Sequence, residues 1–96
     1  MGMNELQWLI KAALQRIALQ ARGPAVPVAQ GLVDQIPHFI TLGMPIENAV
    51  HESLLIAIHS AQLRAQHCVG IERQALDDFI ETCLKLKSET GHLMNV

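Results

Sequence analysis

The chain has 96 residues, of which 50% are apolar and 17% charged, with a formal net charge of −2. That length makes one domain around one core, and a charged fraction below the usual one-quarter leaves more apolar residues than such a core needs. The charge balance offers no basic patch for nucleic acid, two cysteines make no disulfide framework, and no segment approaches the roughly 18 uninterrupted apolar residues of a membrane span.

The first residues are polar, with Asn4 and Glu5 and no basic leader. A cytoplasmic, reduced setting is therefore expected. Asn4 suits an N-cap for a helix over about 4–21. Leu6, Ile10, Ala13, Ile17 and Ala21 step by four and three along one face. Trp8, Ala12 and Leu19 form a second apolar line on the other side. Gly23 and Pro24 end the helix, since glycine suits the C′ position and proline cannot continue the turn.

Residues 23–28 hold two prolines and are expected to be extended. A weaker helix over about 28–42 follows, with Val28, Leu32, Val33 and Ile36 on one face. Gly31 weakens it, and Pro37 is expected to break or kink it.

Pro45 opens a long helix expected over 45–69. Glu47 lies in its first turn, where a carboxylate suits the helix dipole. This segment is the most informative in the chain because it is apolar on two faces. One stripe is Val50, Leu54, Ala57, Ile58, Ala61, Ala65 and Cys68. The other is Ile56 and Leu63, interleaved with Glu52, His59 and His67. At about 100° per residue the two stripes point in nearly opposite directions. One stripe suffices to face a core, so the second implies a partner chain or an unusually full core.

Gly70 separates this segment from a final helix over about 72–87, with Ala75, Leu76, Phe79, Cys83 and Leu86 as its core face. Its acids come early and its lysines late, the order the dipole favours. Residues 88–96 are expected to fray. The fold class predicted is all-α, a small four-helix bundle or orthogonal helical array, expected to act as a dimer.

No catalytic constellation is visible, so no enzymatic activity and no cofactor are expected. His51, His59 and His67 recur every eight residues; on a straight helix they fan over about 160° and cannot share one metal. His67, Cys68, Cys83 and His92 are the right types for zinc. However, neighbouring residues diverge by about 100° and both cysteines fit core stripes, so no metal is expected. Gly43 before a helix resembles the turn of a helix-turn-helix. The helix after it has no Arg or Lys before Arg64, and base edges and phosphates are read mainly by Arg, Lys, Asn and Gln. Nucleic acid is therefore a poor fit.

The interface residues predicted are Trp8, Ala12, Leu19, Glu52, Ile56, His59 and Leu63. Glu52, Ile56, His59 and Leu63 step by four, three and four, as in a two-heptad seam. His59 within that seam would make the contact pH-sensitive. Trp8 is the strongest single anchor by residue type. Against this, scattered exposed apolar side chains are ordinary on protein surfaces. The function expected is a non-enzymatic interaction or regulatory module, working as a homodimer or in a hetero-complex. The alternatives are a pocket for a small hydrophobic ligand lined by Leu, Ile and Met, and a transcriptional regulator.

Overall fold

A computed structural model describes the backbone of residues 2–94 and the side chains of Trp8 and of residues 11–89. Four helices follow one another: α1 (Gly2–Gln20), α2 (Ala25–Thr41), α3 (Ile46–Ala65) and α4 (Gly70–Met94). The architecture is an all-helical bundle, with no strand among the described residues.

The amphipathic pattern explains which helix sits in the middle. α3 packs against both α2 and α4, while α1 rests on α2 and α4 and hardly meets α3. Two neighbours demand a wide buried face, and α3 supplies one about half its circumference across. Ala49, Ser53, Ala57, Ala61 and Ala65 form a row of small side chains four residues apart, and Val50, Leu54 and Ile58 form a row of large ones beside it. The small row is a groove that lets a neighbouring backbone come close; the large row is a ridge that fills a facing groove. Leu32 of α2, Leu54 of α3, and Leu76 and Cys83 of α4 are all fully buried, and α1 adds Leu14 and Ile17. Each large side chain buried this way contributes about 1.5–3 kcal/mol.

The predicted core stripe of α3 is buried through Ala65, with Cys68 half-buried beyond it. On α4, Leu76, Phe79, Cys83 and Leu86 are buried as the periodicity requires. On α1, Ile17 of the predicted stripe is buried and Ala13 and Ala21 are half-buried, Leu6 and Ile10 lie outside the described side chains, and Leu14, which the stripe omitted, is buried beside Ile17.

Several boundaries differ from expectation, each for a local reason. α1 begins at Gly2, so Asn4 lies inside the helix and is not its N-cap. α2 begins at Ala25, so residues 23–28 are not an extended link. Pro24 is the N-cap and Pro27 falls in the first turn, where backbone N–H groups have no intrahelical acceptor and a proline forfeits nothing. Pro37 does not end α2. One hydrogen bond is lost there, while Ile36 and Phe39 anchor the helix on the core and Thr41 Oγ1 donates to the Pro37 carbonyl at 2.9 Å.

Pro45 is the N-cap of α3, with ψ 150°, and its carbonyl accepts from the Ala49 N–H at 2.9 Å. α3 stops at Ala65, short of position 69. Of residues 66–69 only Cys68 packs against the core, and this segment turns the chain into α4. Gly70 has a left-handed φ of 64°, but it opens α4. α4 runs on to Met94, so residues 88–94 are helical and not a frayed tail; residues 95 and 96 lie outside the description.

Candidate interaction surface

The second stripe of α3 stays outside the core. Ile56 is 41% exposed and Leu63 is 49% exposed, with Glu52 and His59 exposed on the same face. The physical reason is angular. The buried residues of α3 span about half a turn, and at 100° per residue these four fall in the other half. α2 and α4 flank the buried half, so α3 rides on them as a ridge with its outer face turned away. Leu55, 39% exposed, widens that face.

The first helix is two-faced in the same manner. Leu14 and Ile17 point into the bundle, while Trp8 is 70% exposed and Leu19 is 85% exposed; Ala12 is half-buried. Trp8, Ala12 and Leu19 share one line on α1, and Glu52, Ile56, His59 and Leu63 share another on α3. α1 lies mainly against α2 and α4 and only touches α3, so the two lines sit on helices that are not packed side by side.

An open groove of about 660 Å³ runs between the end of α1 and the start of α4. Ile17, Ala21, Ala75 and Phe79 line its floor, Leu19 and Ile71 its edges, and Arg22, Glu72 and Asp78 bring charge to its walls. Ile71 is 89% exposed. Ile71 sits beyond the predicted core face of α4, in its first turn, so periodicity alone gave no signal for it.

Polar chemistry on the molecule is sparse. Arg73 and Asp77 form an exposed pair at 3.9 Å, one turn apart on α4; such pairs are worth little. Ser53 Oγ and His51 Nδ1 are buried without a hydrogen-bond partner among the described residues. Burial pushes the Cys83 thiol up to about 12 from 9.0, which holds it in the protonated form at neutral pH. Among the described residues no group of three His, Cys, Asp or Glu side chains is placed to hold a metal ion. The side chain of His92 lies outside the description. No helix among the described residues is long and apolar enough to cross a membrane.

The fold and surface define a small all-α chain with large apolar side chains exposed on each of its helices, among them Trp8 and Leu19 on α1 and Leu55, Ile56 and Leu63 on the outer face of α3. The chain matches no family model, no curated protein and no solved structure.

Proposed function

We propose that this chain is a non-enzymatic interaction or regulatory module that acts through a hydrophobic helix face, as a homodimer or within a hetero-complex. The observation that carries the reading is the outer face of α3, where Ile56 and Leu63 stand half-exposed seven residues apart on the helix that otherwise builds the core. A helix buried on one face has no internal need for large apolar side chains on the other. Aligned apolar residues with polar neighbours are the composition of a small interface. Trp8 and Leu19 support the reading as a second apolar line on α1.

A hydrophobic-ligand site is the second reading, and the groove between α1 and α4 is the observation in its favour. The groove is open to solvent and its walls carry Arg22, Glu72 and Asp78, whereas small-molecule sites bury most of their ligand. No Met lines it.

Leu63→Lys tests it. The side chain is half-exposed in the single chain, so the variant should keep its helical circular dichroism and lose its association in light scattering. An unfolded variant would place Leu63 in the core of the single chain and overturn the reading. Unchanged association in a folded variant would do so as well.

A further inference from the structure

We propose that the outer face of α3 pairs with the same face of a second copy, antiparallel, about a twofold axis at His59. This rests on the interaction reading above and names its partner. The central line of the face reads Glu52, Ile56, His59, Leu63 and, at the C-cap that continues the helical conformation, Gln66, which is polar, apolar, polar, apolar, polar, with Leu55 to one side. That order is unchanged when the helix is reversed, and a twofold pairing requires such a pattern because each residue type meets its reversed counterpart. With His59 at the axis, Ile56 of one copy lies opposite Leu63 of the other, and Leu63 opposite Ile56, to within one residue. Two apolar contacts then flank a polar centre.

Charge chooses the direction. Glu52 is exposed at one end of the face, and Gln66 and His67 are exposed at the other. Antiparallel pairing sets the Glu52 carboxylate against Gln66 and His67 of the second copy, both of which can donate hydrogen bonds to it. Parallel pairing sets Glu52 against Glu52, a like-charge contact that suppresses that arrangement. Access is also suited to self-pairing. Glu52, Ile56, His59 and Leu63 are all exposed, and α3 has its main contacts with α2 and α4 through its buried half, so two such faces can meet without displacing another helix. The outer line of α1 has no such symmetry: Trp8 and Leu19 are unlike in size, and Lys11, Arg16 and Arg22 leave it flanked by cations only among the described side chains.

The test is disulfide trapping in a Cys68→Ser background, with Cys83 left in place because it is fully buried. Under mild oxidation the His59→Cys chain should shift to twice its mass on a non-reducing gel, while a Gln15→Cys control on α1 stays single. An equimolar mixture of Ile56→Cys and Leu63→Cys chains should cross-link to each other in preference to themselves. Self-linked Ile56→Cys chains would mean parallel pairing and overturn the proposal. A dimer by light scattering that links through Gln15→Cys and not His59→Cys would move the interface to α1; the interaction reading would survive and the α3 pairing would fall. A wild-type chain that remains monomeric at about 100 µM, in the range where weak transient complexes still form, and that traps at neither position would overturn the self-pairing and leave only a different partner chain for the interaction reading.

Discussion

Ser53→Ala should make the protein more stable. Ser53 is 0% exposed on the buried face of α3, and its Oγ has no hydrogen-bond partner among the described residues. In the unfolded chain that hydroxyl is solvated by water; in the bundle it is not. An unpaired buried polar group of this kind costs about 1–3 kcal/mol. Replacing it with Ala removes the cost and adds about 0.5 kcal/mol of helix propensity. The volume lost is a single oxygen in a row that is otherwise all alanine (Ala49, Ala57, Ala61 and Ala65), so the cavity penalty is small. The net expectation is a gain of about 1–2 kcal/mol. For a domain of this size each kcal/mol moves Tm by about 4–8 °C. Urea unfolding followed at 222 nm reads it directly, with the midpoint rising and the slope unchanged. A loss of 1 kcal/mol or more would show that the hydroxyl is satisfied in the folded protein and would refute the reasoning.

Cys83 predicts the alkaline behaviour. Burial raises its folded pKa to about 12 from 9.0, so above pH 9 the unfolded chain releases a proton that the folded chain retains. Stability should therefore fall between about pH 9 and 12, by about 1.4 kcal/mol per pH unit from this group, and not below that window. Urea titrations at pH 8, 9.5 and 10.5 should show a shallower decline for Cys83→Ala than for the wild type; equal declines would refute the assignment. Gly43 turns the chain between α2 and α3 with a φ of 98°, where a side chain is strained even though the space around it is empty. Gly43→Ala should cost about 1–2 kcal/mol, read as a lower thermal midpoint with unchanged helix content.

Much of the bundle is legible along the chain because a helix buries residues with a 3.6-residue period. Val50, Leu54, Ala57, Ile58, Ala61 and Ala65 announce the core face of α3, and Leu76, Phe79, Cys83 and Leu86 that of α4. Ala49 and Ser53 do not. Neither is large enough to raise an apolar signal, and a serine reads as surface until a second helix is seen to cover it. The ends of helices were less legible than their faces. Prolines at 24, 27 and 37 are generic stop signals, yet two of them fall where a helix start has no bond to lose, and packing carries α2 past the third.

The same holds for the candidate surface. Two opposed apolar lines on one helix can be read from spacing alone, since the angle between residues is a property of the helix and not of the fold. Which line would be covered could not, because that depends on where the other helices lie. The sequence by itself determined four helices and much of the core-facing stripes of α3 and α4, while on α1 it marked Ile17 but not the buried Leu14. Only the tertiary structure decided that α3 takes the centre, that α1 packs on α2 and α4, and that Ile56 and Leu63 remain outside. Those outcomes follow from long-range packing, in which the rows of small and large side chains on α3 had to be matched to two neighbours at once.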